Sequence, residues 1–136
     1  DRDNKELREL WKPILDEYKV DLVLSGHDHT YARTGQVDTG NLKNVPSGYQ
    51  QAYDPEIGTV HVVSVSGPKM YGISKGNYAK RVAENTQLYQ VIYINDKNLE
   101  YKAYEATGKL YDKFTLEKRN GLPNLLIEAL PAEKRK

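Results

Sequence analysis

The sequence contains no cysteine, which excludes disulfide bonds and zinc sites built from thiolates, and leaves the redox compartment open. An excess of charge of one sign is also lacking, because 20 Lys and Arg residues against 19 Asp and Glu residues give a formal net charge of +1. No apolar run approaches the roughly 20 residues that a membrane-spanning helix requires. The composition therefore predicts neither a nucleic acid nor a membrane as a partner.

Phenylalanine and tryptophan occur once each, whereas tyrosine occurs 11 times. Tyrosine suits sheet surfaces on which the ring is packed and the hydroxyl reaches water. A length of 136 residues, of which 38% are hydrophobic, predicts a single domain over residues 1–136 with a core of its own. Because the chain starts at Asp1 and enters a helix almost at once, we interpret it as a piece of a longer protein.

The first part of the chain is typical of an α/β unit. A capping box at residues 3–6 and apolar residues at helical spacing predict a helix that packs its apolar side against the core. Pro13 is expected to kink this helix or to split it in two. The apolar run 22–24 predicts a strand covered on both faces, and the polar stretch 34–58 predicts a long surface loop. The apolar helix positions are Leu7, Leu10, Trp11, Ile14, Leu15 and Tyr18.

The rest of the chain favours sheet structure. Runs of β-branched and aromatic residues separated by turn residues predict strands, and the last three of these strands should form an antiparallel meander. The predicted fold class is therefore α/β, or α+β by content. The expected strands are 59–65, 87–94, 99–105 and 110–117. Either a short helix over 77–84 or a loop is expected before the meander. An apolar tail is expected at 122–130 and a charged tail at 131–136.

Two of the three histidines, His27 and His29, lie one residue apart directly after the strand 22–24. Neutral imidazole is a common ligand of zinc, iron and related metals. Ligand sites in α/β folds lie beyond the carboxyl ends of the strands, where this turn is expected. Gly26 lets the backbone come close to an ion and allows a tight turn that points the two imidazoles at different metals. The turn is therefore a candidate metal site.

The same residues have simpler interpretations. Two surface histidines account for a His-x-His pattern, and a catalytic metal needs three or more protein ligands. His61 lies among valines and is interpreted as a sheet residue. Asp28 is either a turn acid or a residue that orients a histidine. Arg33 is either a surface or loop-pinning arginine or a phosphate ligand, and the first interpretation is favoured. Tyr31 is expected to pack under the loop.

Residues 24–33 resemble the final motif of the calcineurin-like metallophosphoesterases, in the purple acid phosphatase-like subgroup. That motif reads Gly-His-x-His followed by small-Tyr-x-Arg. Residues 10–13 and 18–23 are similar to the lead-in to the motif, and residues 64–67 resemble the strand that follows it. The resemblance covers most of the chain from Asp3 to about Gly67, and more loosely the tyrosine-rich strands beyond.

The resemblance implies a four-layer α-β-β-α sandwich with two metal ions, such as Fe, Zn or Mn, at the strand ends. His27 would bind one metal and His29 the other, and the metals would activate a water for attack on a phosphoester substrate. A secreted or periplasmic location of the parent protein is a further expectation from the resemblance.

The other motifs of these enzymes are absent. Asp-x-His, Gly-Asp-x-x-Asp and Gly-Asn-His-Asp/Glu, together with a lone histidine, are expected upstream and are not found in this sequence. The resemblance therefore implies the C-terminal half of a phosphoesterase domain, inactive alone, with little or no metal bound and with its catalytic residues in the missing N-terminal half. Exposed sheet edges would then favour self-association. The competing hypothesis is a non-enzymatic, β-rich binding module with a surface histidine pair.

Overall fold

The structure is a computed structural model that describes residues 5–37, 58–73 and 79–128. These residues form one helix and eight strands in two four-stranded sheets. This mixed α+β architecture agrees with the secondary-structure content predicted from the sequence. No helix in these residues is long and apolar enough to cross a membrane. The elements are α1 (Lys5–Glu17), β1 (Leu22–Ser25), β2 (Tyr31–Val37), β3 (Thr59–Val63), β4 (Arg81–Ala83), β5 (Leu88–Ile94), β6 (Asn98–Glu105), β7 (Leu110–Glu117) and β8 (Leu125–Glu128).

Sheet A has the strand order β1-β3-β2-β4, and sheet B has the sequential order β5-β6-β7-β8. In sheet A, β1 runs parallel to β3, whereas β2 runs antiparallel to both of its neighbours. Every pairing in sheet B is antiparallel, so the predicted meander is confirmed, and β8 extends it by one strand. Gly108 turns the chain between β6 and β7 with a φ of 86°, a conformation that glycine adopts without a steric penalty.

The hydrophobic core lies between the two sheets, because alternate residues of each strand point to the same face. Tyr101 and Phe114 stack at its centre with their ring centroids 4.7 Å apart. Burying side chains of this size contributes about 1.5–3 kcal/mol each through the apolar surface removed from water. The buried residues of this cluster are Tyr31, Val60, Val62, Ala83, Leu88, Tyr101, Ala103, Phe114 and Leu116.

An ionic network crosses this core and joins β2 to sheet B. Arg33 is 2% exposed and donates from Nε and Nη2 to the two carboxylate oxygens of Asp112, at 2.6 and 3.0 Å. Its Nη1 donates to Glu128 at 2.7 Å, and the Tyr31 hydroxyl donates to Asp112 at 2.7 Å. Lys80 also pairs with Glu128. The sheets are therefore held in one relative position by directional bonds as well as by apolar packing.

The pKa shifts follow from this network. Burial alone would raise the pKa of the Glu128 carboxyl, but hydrogen bonds from Lys80 and the charge of Arg33 outweigh it and lower that pKa. Burial, with the charge of Asp112, raises the pKa of the Tyr31 hydroxyl well above its ordinary value. The Glu128 carboxylate and the Arg33 guanidinium therefore stay charged, and the Tyr31 phenol stays neutral, throughout the neutral range.

Helix α1 contacts sheet A through its polar side, which corrects the prediction that its apolar side packs on the core. Lys12 is 4% exposed; its Nζ lies 2.6 Å from the Asp16 carboxylate and 3.5 Å from the Thr59 hydroxyl of β3. Thr59 and Val60 point to opposite faces of sheet A, and Val60 lies in the core between the sheets. Helix α1 therefore covers the face of sheet A that points away from sheet B. The apolar side of α1 is exposed, at Leu7, Leu10, Trp11, Ile14 and Tyr18.

Other predictions differ from the structure in detail. Pro13 does not split the helix, because α1 continues from Lys5 to Glu17 with Pro13 inside it and loses one backbone donor. β1 is not covered on both faces, since it is an edge strand of sheet A and Leu24 is 55% exposed. The predicted loop 34–58 starts later, since β2 reaches Val37, and residues 38–57 lie outside the described part.

The region predicted as helix or loop contains β4, so a helix over all of 77–84 is wrong. Residues 77 and 78 lie outside the described part of the chain. Part of the predicted apolar tail, Leu125–Glu128, is strand β8. The predicted charged tail 131–136 also lies outside the described residues.

Candidate metal site

The histidine turn, residues 26–30, follows β1 directly and lies at the carboxyl end of the parallel pair β1–β3. This is the edge of a sheet at which α/β folds place their ligands. Ser64 donates its backbone N–H to the carbonyl of Ser25, so the segment after β3 holds the start of the turn. The backbone enters β2 at Tyr31, which is completely buried. The turn is therefore fixed at both ends by sheet A.

His27 has the unusual backbone conformation of this turn. Its φ is 78°, in the left-handed region, which costs a residue with a Cβ about 1–2 kcal/mol. A Cβ built on Gly26 would meet no atom within 4 Å, so the described structure gives no steric reason for glycine there. The bend lies one residue later than the sequence indicates, on a histidine. Backbone strain of this kind is concentrated at functional sites.

The His27 side chain points into solvent and is 86% exposed. Its Nδ1 lies 3.7 Å from a carboxylate oxygen of Asp28, which is partly buried. This distance is too long for a hydrogen bond, so Asp28 contributes a nearby negative charge and does not fix the ring. His27 is free to turn toward a ligand that approaches the strand ends.

His29 is held in one orientation by the segment 66–73. Its Nδ1 lies 2.7 Å from the backbone carbonyl oxygen of Lys69, and its own carbonyl accepts the N–H of Tyr71 at 2.9 Å. The imidazole also packs on the Tyr71 ring, with the centroids 4.7 Å apart. Because a carbonyl oxygen accepts only, Nδ1 is the donor, and in the neutral imidazole Nε2 then has the lone pair. Metal-ligating histidines have this arrangement, in which a carbonyl fixes the tautomer.

The donor set in this chain is incomplete. Among the described residues, no group of three or more His, Cys, Asp or Glu side chains is placed to hold a metal ion. Catalytic sites use about three protein ligands for each metal. The chemistry of the His29 Nε2 fits a transition metal, but a tight site would need ligands from outside these residues.

His61 lies in β3, as predicted, opposite Val23 and on the face that α1 covers. Burial, with a smaller contribution from the Lys12 charge, lowers its pKa to about 4. The imidazole is therefore neutral at pH 7. It belongs to the contact between α1 and sheet A and not to the histidine turn.

Arg33 is not available to a phosphate group, since Asp112 and Glu128 occupy its guanidinium in the interior. The favoured prediction, a surface or loop-pinning arginine, is wrong, since Arg33 is buried in β2 and joins that strand to β7 and β8. Tyr31 is likewise buried, beside Asp112. Sequence reasoning missed Lys69 and Tyr71, and the only signal for them was the Ser66-Gly67-Pro68 break that ends the preceding strand.

Comparison with known proteins assigns no activity. No family model matches the chain, and no solved structure matches it. Two curated relatives, named Uncharacterized protein MT2654 and Uncharacterized protein Rv2577 and found in two strains of Mycobacterium tuberculosis, are each 36% identical over 66 residues. Each match covers 45% of this chain and 12% of the relative, so the chain spans a small part of these much longer proteins.

Proposed function

We propose that the parent protein of this chain is a metal-dependent phosphoesterase, and that the chain is the C-terminal part of its four-layer α-β-β-α domain. The observation that carries the proposal is the orientation of His29, whose Nδ1 is held by the Lys69 carbonyl so that Nε2 can bind a metal. The position of the turn beyond the carboxyl end of a parallel strand pair supports the same function.

In this proposal His27 and His29 each bind one of two metal ions such as Fe, Zn or Mn. Bound metals of this kind supply a water of lowered pKa and neutralise phosphate oxygens. In this proposal the chain holds two of the metal ligands in position. The Lys69 carbonyl fixes the His29 tautomer, and the left-handed backbone at His27 shapes the turn that carries both histidines. The Arg33–Asp112 pair fixes β2, the strand that follows the turn.

The proposal also includes a partner surface. The apolar side of α1 is exposed, and soluble domains rarely leave a contiguous apolar patch uncovered. The N-terminal half of the same domain would cover this patch and supply the remaining metal ligands. The 136-residue chain alone is therefore expected to be inactive.

The test uses the full-length parent protein, purified with its metals. We expect hydrolysis of para-nitrophenyl phosphate or of its bis-ester, with loss of both activity and bound metal in His27→Ala and His29→Ala. His61→Gln is the matched control, because His61 lies on the α1 side of sheet A, and it should retain activity and metal. A parent protein without metal-dependent hydrolysis of either ester would exclude the proposal.

A binding module is the second candidate, and one observation favours it. The outer face of sheet B presents Tyr89 and Tyr104 as a stacked pair with centroids 5.5 Å apart, beside Tyr93 and Lys102. Half-exposed tyrosines are common at recognition surfaces. In this case Tyr89→Ala would abolish partner binding, whereas His27→Ala and His29→Ala would leave it intact.

A further inference from the structure

The segment 66–73 forms one side of the histidine turn and is anchored at several points. Val65 accepts the N–H of Leu88 from β5, and the side chain of Gln87 donates to the Ser66 carbonyl. At the other end, the Ile73 N–H donates to the Glu84 carboxylate at 2.7 Å. The backbone of this segment is therefore held beside His29.

Lys69 is the cation of this segment. Its Nζ lies 5.2 Å from the centroid of the Tyr71 ring, within the range of a cation–π interaction. The same ring packs against the His29 imidazole, with the two ring centroids 4.7 Å apart. The backbone carbonyl of Lys69 binds His29 at the same time. One residue thus orients the proposed metal ligand with its main chain and places a positive charge nearby with its side chain.

The charge of Lys69 is not neutralised within the described residues, where it makes no salt bridge. Five other lysines in or beside the strands have an acidic partner within 4.0 Å, and a charge that is already paired attracts an external anion less strongly. Those pairs are Lys80–Glu128, Lys102–Glu100, Lys109–Glu105, Lys113–Glu100 and Lys118–Asp21.

We infer that Lys69 binds the anionic phosphoryl group of the substrate and that Tyr71 positions its ammonium. The inference rests on the proposed function and specifies which residue outside the metal ligands recognises the phosphoester. An ammonium donates hydrogen bonds to phosphate oxygens as a point charge, and a charge-assisted bond is stronger than a neutral one. Lys69 neither forms nor breaks a covalent bond in this role.

The test measures inorganic phosphate binding to the full-length parent protein by isothermal titration calorimetry, together with metal content. Lys69→Gln should weaken phosphate binding about tenfold, the effect of losing one favourable contact of about 1.4 kcal/mol. KM for a phosphomonoester should rise by a similar factor, with kcat and metal content unchanged. Lys97→Gln, a change at an exposed lysine in the β5–β6 turn, is the matched control and should have no effect.

Tyr71 provides the second measurement. Tyr71→Phe keeps an aromatic face under the ammonium and should bind phosphate as the wild type does, whereas Tyr71→Leu should weaken binding. Wild-type phosphate affinity in Lys69→Gln would overturn the inference, and so would a loss of metal in that variant, because Lys69 would then act through His29. A parent protein that binds phosphate through Lys69 but hydrolyses no ester would refute the proposed function and leave the binding site standing.

Discussion

The guanidinium of Arg33 and the carboxylate of Asp112 are joined by two hydrogen bonds inside the protein, with 2% and 1% of their side chains exposed. Arg33 lies four residues after His29 on sheet A, and Asp112 lies in the middle of sheet B. The pair therefore connects the strand that follows the histidine turn to the opposite sheet.

Asp112→Asn should destabilise the protein by about 3 kcal/mol, because the buried Arg33 guanidinium loses its two-bond carboxylate partner and keeps only the Glu128 charge. Urea denaturation at pH 7 gives the change in the free energy of unfolding. Lys113→Gln is the control, since it removes a partly exposed ion pair with Glu100 and should cost no more than about 1 kcal/mol. Equal losses in the two variants would contradict this assignment.

His61 should make the protein sensitive to acid. Its pKa is about 4 in the folded chain and about 6.5 in an unfolded chain, so the unfolded state binds a proton that the folded state rejects. The His61 contribution to stability is complete above about pH 6.5 and is lost as the pH falls toward about 4. His61→Gln should flatten the pH dependence of the free energy of unfolding in this window. An unchanged slope would show that His61 is not buried under α1.

The backbone strain at His27 predicts a substitution that stabilises the protein. His27→Gly should stabilise the protein by about 1 kcal/mol, because glycine adopts a φ of 78° without a clash, although it removes a proposed metal ligand. The neighbouring Asp28 has no positive φ, so Asp28→Gly is the control and should give no gain. Thermal unfolding followed by circular dichroism compares the two variants, and a destabilised His27→Gly would argue against the left-handed turn.

The exposed apolar side of α1 should make the isolated chain associate. Sedimentation velocity over a range of concentrations should show dimers or larger species that Leu10→Glu abolishes, since a charge on this side disfavours burial. Thr107→Glu makes the same change of charge in the exposed β6–β7 turn and should leave association unaltered. If Thr107→Glu had the same effect, net charge and not the α1 surface would control association.

The meander could be predicted from the sequence because its signals are local. The Asn95 side chain accepts the N–H groups of Lys97 and Asn98 at 2.9 Å and so closes the β5–β6 turn on its own. Gly108 supplies the conformation of the next turn. Turn chemistry and alternating apolar residues therefore specified these strands without knowledge of their partners.

Strands β2 and β4 could not be predicted because their polar residues are buried by partners distant in the sequence. Arg33 meets Asp112, Gln36 donates to the Asn124 carbonyl, and Arg81 donates to the Tyr111 carbonyl. Composition alone assigns such residues to the surface. Periodicity likewise located the apolar side of α1 but could not identify which side faces sheet A.

The candidate site was predicted in part. The position of His27 and His29 after a strand follows from the sequence, because an apolar run ends at the turn. The carbonyl that fixes His29 belongs to Lys69, and this contact depends on the return of the segment 66–73 to the turn. No spacing rule within one segment predicts that return.

The parallel pairing of β1 with β3 also bears on the order of folding. Leu22 pairs with Val60, so the edge that carries the histidine turn forms only after a long intervening segment has been closed into a loop. Sheet B, in contrast, is built from hairpins between consecutive strands, and contacts close in sequence form faster than distant ones. The histidine turn is thus expected to form late, after sheet B has folded. A ligand that binds His29 would therefore change the folding rate little but would slow the unfolding of this edge.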